Sequence, residues 1–284
     1  MGSSEVVLLG AIAGFTIYLG LPVGRLRSVD ERVRVALPMF SVGVLAFIFV
    51  DVTSHGQEIV DATLGSFTEH RTGVMSVLGS FALLAVGFTA GLTGIPTIQR
   101  SLRARRASVP RMAGGSAAAG FSAAELASVA GDAQRAALHT GMTIAAAIGL
   151  HNFAEGLAIG VSAKAGAIGL ATVLIVGFGL HNATEGFGIV GPLGGVRPSW
   201  AWIGLAGLLG GGPTLAGTIV GYQVHSPALE LCFYALAGGA ILYVVGEVWA
   251  SVRRFGHRTL GLHLLAAGFM AGVATDLIVT YGGA

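Results

Sequence analysis

Long apolar runs constrain the fold of this chain more than any other feature of its sequence. Eight stretches each approach or exceed the roughly 20 apolar residues that cross a bilayer as a helix. They lie at approximately 5–24, 35–54, 73–96, 136–162, 166–190, 200–222, 227–250 and 259–281. Only 11% of the residues are charged, against about 25% in soluble domains, and the mean hydropathy is +0.78. The sequence therefore predicts an all-α membrane protein with eight transmembrane helices.

The runs follow one another too closely to leave room for a second domain. Residues 1–284 are predicted to form a single polytopic unit that crosses the cell membrane several times. The one long polar connection, at about 97–135, is rich in Arg, Ala, Ser and Gly and is predicted to be a flexible cytoplasmic loop. The 46 glycines suit close helix packing in lipid, and the single Cys232 excludes a multi-cysteine metal cluster.

Basic residues alternate between the connections that join the predicted spans. The odd-numbered connections hold 14 of the 16 Lys and Arg residues. By the positive-inside rule these connections are cytoplasmic, which places both termini outside. A nucleic-acid patch at Arg100–Arg111 is the alternative, but no nucleic-acid partner is predicted. The second connection carries His55, Glu58 and Asp61 and is predicted to be a solvated loop, with attraction of cations as the alternative.

A seven-residue phrase occurs twice, 30 residues apart, inside the apolar runs. It reads LHNFAEG at 150–156 and LHNATEG at 180–186. In each copy the His and Glu are four residues apart, which puts His151 and Glu155 on one helix face, and His181 and Glu185 on another. Two antiparallel helices can set these faces opposite each other near the middle of the bilayer. The last glycine of each copy is predicted to mark close helix packing.

Two imidazoles and two carboxylates are a ligand set that zinc accepts in tetrahedral geometry. The carboxylates would neutralise a divalent cation, which lowers the cost of placing its charge inside a membrane. Asn152 and Asn182 lie about 100° round the helix from the histidines. They are predicted to help hold a second ion or orient the glutamates, or else to hydrogen-bond between helices. Asp51 and Glu247, each near the edge of a span, are candidates for the ion path.

At these residues the sequence resembles the ZIP (Zrt/Irt-like) family of divalent metal transporters. The resemblance covers nearly the whole chain, from the eight spans and outside termini to the paired HNxxEG motifs on spans four and five. It implies a primary metal site between those two helices and an acidic transport path. The implied residues are His151, Glu155, His181 and Glu185 for the primary site, Asn152 and Asn182 with the same glutamates for a secondary site, and Asp51 and Glu247 for the path.

The chain departs from that family in three places. Ala154 and Thr184 stand where the family usually has proline, so both helices are expected to be straighter. Gly210–Pro213 stands where many members carry a glutamate on the sixth span, which predicts one strong site and at most a weak second one. The loop at 97–135 also lacks the histidine cluster often found there.

The predicted function is transport of a divalent transition metal into the cytoplasm. Zn²⁺ is the favoured substrate, and Fe²⁺, Mn²⁺ and Cd²⁺ are alternatives because a mixed nitrogen and oxygen site discriminates modestly among them. The ion is expected to pass an outer funnel at Asp51 or Glu247 and then to reach the four primary ligands. Acid should weaken binding, since the histidines must be neutral and the carboxylates deprotonated.

Two other classes of protein remain as alternatives. An intramembrane zinc hydrolase needs an open position for water, whereas four matched ligands leave less room for one, and the chain has no HExxH motif. A metal sensor needs a signalling domain, for which the runs leave little length. The chain is therefore predicted not to be an enzyme and to use no cofactor. Its expected partners are the metal ion and the lipid bilayer, with a homodimer left open.

Overall fold

Helices form every regular element in the residues that the structure describes, which are 2–26, 30–106, 123–164, 179, 181–223 and 226–282 of a computed structural model. The helices are α1 (Ser3–Phe15), α2 (Ile17–Gly20), α3 (Glu31–Thr68), α4 (Val74–Arg106), α5 (Ala123–Lys164), α6 (181–190), α7 (Trp200–Gln223), α8 (Pro227–Val252) and α9 (Arg258–Gly282). Short 3-10 turns lie at Leu21–Arg25, Gly191–Leu193 and Arg253–Phe255.

The long helices correspond to the predicted spans. Seven segments of the described chain are long and apolar enough to cross a membrane, and each overlaps one of the eight predicted spans. Most of the remaining span, 166–190, lies outside the described residues, although its last ten residues form α6. The prediction of a helical protein with several helices suited to span a membrane is therefore confirmed for the described residues, whereas the count of eight spans and the outside termini stay predictions.

Local sequence accounts for where several of these helices begin and end. The Asp30 side chain accepts a hydrogen bond of 3.0 Å from the backbone N–H of Arg32 and so caps the start of α3. Pro227 occupies the first position of α8, where a missing N–H costs nothing. The turn after α6 ends at Gly194, whose φ of 58° is a conformation that glycine adopts readily.

Helix α3 is much longer than the predicted second span. Its 38 residues extend about 57 Å at 1.5 Å per residue, nearly twice the ~30 Å thickness of the hydrocarbon core. His55, Glu58 and Asp61 therefore lie on this helix, and their prediction as a loop is wrong. The extension packs beside α4, where the Ser80 hydroxyl lies 3.4 Å from that of Thr63.

Helical structure also enters the predicted flexible loop from both sides. Helix α4 continues to Arg106 and α5 begins at Ala123, so the predicted loop bounds of 97 and 135 were too wide. Both extensions are rich in Ala, Arg and Leu, which have high helix propensity. The rest of the predicted loop, residues 107–122, lies outside the described residues.

Helix α5 lies at the centre of the packing. In the most apolar 18-residue segment of α5, 72% of the residues are buried. In the corresponding segment of α4 only 11% are buried, because α4 presents large apolar side chains outward. Helix α5 packs most extensively on α7 and also contacts α8, while α3 packs on α9 and α4 on α8. Ile144 and Ile148 of α5 belong to the main core together with Ile189 of α6 and Ile241 of α8. The polar motif on α5 is therefore held among apolar helices.

Glycines let the paired helices approach backbone to backbone. A Cβ added to Gly43 of α3 would lie 2.0 Å from the carbonyl oxygen of Leu265 in α9. The contact is reciprocal, because a Cβ on Gly268 of α9 would lie 2.0 Å from the carbonyl oxygen of Phe40. The α4–α8 and α5–α7 pairs have the same arrangement. This abundance of glycine thus serves helix packing, as predicted.

Three of the arginine-bearing connections come together in the fold. Arg25, in the first connection, donates a hydrogen bond to the carbonyl of Pro198 in the fifth. Val35, just after the first connection, lines one cavity with Arg253 of the seventh. The first, fifth and seventh connections therefore lie at the same end of the helices, as the alternating charge pattern requires.

Candidate metal centre

The two motif copies lie on neighbouring helices, and their polar side chains face each other. His151 and Glu155 project from α5, and His181 and Glu185 from α6. His151 and Glu185 are fully buried, Glu155 is 5% exposed, and the His181 side chain is 12% exposed. The structure thus brings together the four side chains that the helical spacing singles out.

The histidine of each copy pairs with the glutamate of the other. His151 Nε2 lies 2.8 Å from Glu185 Oε1, and His181 Nε2 lies 2.6 Å from Glu155 Oε1. His151 Nε2 is also 3.9 Å from Glu155 Oε1, so that carboxylate lies between the two imidazoles. The pairing is reciprocal, and each motif completes the other rather than forming a site alone.

The four side chains are hydrogen-bonded to each other rather than spaced as metal ligands. Zinc bonds of 2.0–2.2 Å at a tetrahedral angle put neighbouring ligand atoms about 3.4 Å apart. The two close pairs are shorter than this, at 2.6 and 2.8 Å. No group of three or more His, Cys, Asp or Glu side chains within the described residues has the arrangement of a metal site. An ion would have to separate each pair by roughly 0.6–0.8 Å, a change that side-chain rotation can supply.

Two atoms of the cluster are buried and have no hydrogen-bond partner among the described residues. They are Glu155 Oε2 and His151 Nδ1. A buried polar atom without a partner is costly, so such atoms commonly mark a position for a water molecule or an ion. Glu155, with an unused oxygen and an imidazole on each side, is the side chain of the cluster best placed to contact a cation without first losing its hydrogen bond.

The asparagines use their amide nitrogens to hold neighbouring helices. Asn182 Nδ2 donates to the Ala13 carbonyl of α1 at 3.0 Å, and Asn152 Nδ2 donates to the Gly210 carbonyl of α7 at 2.9 Å. Asn152 Nδ2 also donates to Glu185 Oε2 at 3.2 Å. These contacts are the inter-helix hydrogen bonds that the sequence left as one alternative. The Oδ1 atoms of both asparagines are buried without a partner in the described part of the chain, so their role as metal ligands stays a prediction.

The carbonyls of Ala13 and Gly210 could not be found from the sequence. Every residue carries a carbonyl, and neither of these two positions has a polar side chain to draw attention to it. In the structure, Thr16 marks the break between α1 and α2, and its hydroxyl also donates to the Ala13 carbonyl, at 2.7 Å. Gly210 belongs to a run of three glycines before Pro213, but such a run does not indicate that the Gly210 carbonyl accepts a hydrogen bond.

The last glycine of each motif is a packing residue, as predicted. A Cβ on Gly156 would lie 2.1 Å from the Thr214 carbonyl oxygen of α7, and one on Gly186 would lie 2.7 Å from the Gly20 Cα at the end of α2. Ala154 and Thr184 stand where the resemblance leads one to expect proline, and α5 runs unbroken through Ala154. The Thr184 hydroxyl donates to the His181 carbonyl at 2.7 Å.

Helix α7 brings small residues and a hydroxyl to the neighbourhood of the motifs. Gly210 and Gly211 are buried in a continuous helix that also contains Pro213. Thr214, one turn beyond Gly210, is fully buried, and its Oγ1 has no partner among the described residues. This stretch of α7 therefore carries a hydroxyl and no carboxylate, and the expectation of at most a weak second site stays a prediction.

Asp51 and Glu247 lie at opposite ends of the helices. Asp51 is 37% exposed and is close enough to His181 and Glu155 for their charges to interact. One turn further along α3, the His55 ring lies 5.6 Å from that of Tyr234, in the first half of α8. Glu247 lies 13 residues beyond Tyr234, about 20 Å along α8, near the end with the arginines. The two carboxylates therefore cannot line the same mouth, and the expectation that the ion passes an outer funnel at Asp51 or Glu247 stays a prediction.

We expect Asn182→Ala and Asn152→Ala to have different effects. Both variants lose a buried hydrogen bond to a neighbouring helix, which should lower stability by about 1 kcal/mol. Asn152→Ala also removes a donor from Glu185, so it alone should weaken zinc binding at the primary site, by several-fold. Thermal unfolding and zinc titration of the purified variants measure the two effects separately. A tenfold loss of zinc affinity in Asn182→Ala with unchanged unfolding would instead make Asn182 a metal ligand.

The chain was also compared with known proteins. Neither the models of known protein families nor the curated proteins give a match to this sequence.

Proposed function

We propose that this protein is a multi-pass membrane transporter that carries divalent transition metals, with Zn²⁺ as the preferred substrate, into the cytoplasm in the manner of the ZIP family. The observation that carries the proposal is the reciprocal pairing of the two HNxxEG motifs, His151 with Glu185 and His181 with Glu155, inside an apolar helical bundle. Buried ionisable groups in membrane helices are costly and commonly mark an ion pathway.

The chemistry of the ligand set supports a divalent ion as the substrate. Two carboxylates balance the charge of one M²⁺ ion, and two neutral imidazoles complete four-coordination without adding charge. Imidazole and carboxylate together suit Zn²⁺ and also accept Fe²⁺ and Mn²⁺. A ligand set without thiolate is expected to release its ion more readily than a cysteine site, as transport requires.

The positions of the other acidic residues suggest a path through the protein. By the positive-inside rule the end with the arginines faces the cytoplasm. Asp51 then lies on the outer side of the cluster, where it would attract an incoming cation, and Glu247 lies on the inner side, beyond the cluster. The ion would pass Asp51, separate the His–Glu pairs, bind between them and leave towards Glu247.

The proposal is tested by zinc uptake into proteoliposomes that contain a zinc-sensitive dye. Wild-type protein should transport zinc. The rate for the double variant His151→Ala/His181→Ala should be at least about tenfold lower, since loss of a residue that only hydrogen-bonds to a metal ligand already has an effect of that size. Competition by Fe²⁺ and Mn²⁺ then tests the substrate preference.

His139→Ala is the matched control for this experiment. His139 lies on the same helix as His151, three turns earlier and exposed, so its loss should leave uptake unchanged. Tight zinc binding without uptake by the wild type would contradict the proposal and would favour a hydrolase or a sensor. Undiminished uptake in the double variant would mean that the paired motifs are structural.

A further inference from the structure

A cavity of about 520 Å³ opens at the end of the helices where the arginines gather. It lies between the start of α3, the end of α8 and the start of α9, away from the His–Glu cluster. Its apolar wall includes Val35 and Met39 of α3 and Trp249 of α8. Its volume falls within the range of small-molecule sites, which is about 300–1,000 Å³.

The rim of this cavity is basic. Arg253, His257 and Arg258 line it, all three are exposed, and no Asp or Glu belongs to the described lining. Among the described residues, neither Arg253 nor Arg258 forms an ion pair. The cavity therefore presents positive charge that its described surroundings do not neutralise.

The backbone adds to this positive character. Gly256 and His257 both have positive φ, at 72° and 52°, and this tight turn ends just before α9 begins at Arg258. The first turn of a helix has backbone N–H groups without intrahelical acceptors, and its dipole favours an anion. The chain thus places two arginines, a histidine and a helix N-terminus around one opening.

We propose that this cavity binds the phosphate headgroup of an anionic phospholipid. The basic rim suits a phosphodiester, and the apolar wall suits the glycerol and upper acyl chain, which free phosphate would leave unused. Basic pockets between membrane helices on the cytoplasmic side bind anionic lipid headgroups. Tryptophan, here Trp249, is enriched at the interface between membrane and water. This inference depends on the membrane-spanning fold and not on metal transport.

Native mass spectrometry of the full-length protein in detergent tests the proposal. An equimolar mixture of phosphatidylglycerol and phosphatidylcholine with the same acyl chains is added, and the adducts are counted. The wild type should retain phosphatidylglycerol preferentially. Arg253→Gln/Arg258→Gln should lose that preference by about fivefold for each arginine. Arg253→Lys/Arg258→Lys should keep most of it, which separates loss of charge from loss of fold.

Arg135→Gln provides the control for general charge loss. Arg135 belongs to a connection predicted on the same side of the membrane, but it is outside the cavity and paired with Asp132 at 2.6 Å. An equal loss of preference in this control would overturn the proposal, as would unchanged binding in the double glutamine variant. Displacement of the lipid by millimolar inorganic phosphate would also overturn the assignment to a lipid and would indicate a phosphate site.

Discussion

Glu185→Gln should strongly reduce zinc uptake while leaving the protein folded. Glu185 is fully buried and accepts from His151 Nε2 at 2.8 Å and from Asn152 Nδ2 at 3.2 Å. Glutamine has the same shape and can still accept from one of these donors, but it carries no charge. A bound M²⁺ ion would then keep a net positive charge inside the bilayer, which is strongly unfavourable. We expect uptake and zinc affinity to fall by at least about tenfold.

Glu185→Ala separates the binding role from the structural one. Alanine leaves His151 without its partner and Asn152 with only its bond to Gly210, so this variant should also lose about 1–3 kcal/mol of stability. The measurements are zinc uptake, zinc titration and thermal unfolding of both variants. Glu69→Gln is the control, since Glu69 is exposed and pairs with Arg71. Normal uptake by the glutamine variant would show that the charge at this position is not needed, and the proposed site would be wrong.

The sequence predicts the helical architecture well because lipid leaves few choices. Apolar runs of membrane length must form helices, and seven of the eight predicted spans correspond to long helices in the described residues. The bounds were less accurate. Hydropathy detects the part of a helix inside lipid, so it could not detect that α3 continues past His55 into polar sequence. For the same reason hydropathy did not detect that α4 and α5 extend into the predicted loop.

The site was predicted as a set of residues but not as a network. Helical periodicity puts His151 beside Glu155 on one face, and it cannot tell which residue of another helix each will contact. That depends on the rotation and height of α6 against α5, which packing decides. The reciprocal pairs and the asparagine bonds to α1 and α7 therefore required the structure. The position of Glu247 did not require the structure, because the predicted topology already places the end of the seventh span next to an arginine-bearing connection.

Gly156→Ala should disturb the site through packing alone. A Cβ at Gly156 would lie 2.1 Å from the Thr214 carbonyl oxygen and 2.8 Å from the Thr218 nitrogen, whereas real Cβ atoms essentially never come within 3.0 Å of such atoms. Both neighbours are backbone, so α5 and α7 must separate by about 0.9 Å, the difference between 3.0 and 2.1 Å. Overpacking of this kind costs about 1–3 kcal/mol, and the roughly 1 kcal/mol gain in helix propensity offsets only part of it.

The displacement should reach the proposed metal ligands because Glu155 is the adjacent residue. Its 2.6 Å pairing with His181 and the 2.9 Å bond from Asn152 to Gly210 both depend on the position of α5. We therefore expect lower stability and reduced zinc uptake in a variant that removes no polar atom. Gly204→Ala on α7 is the matched control, since a Cβ there meets nothing within 4 Å and should be neutral or stabilising. If the two variants unfold at the same temperature and transport zinc equally, the close α5–α7 contact does not position the site.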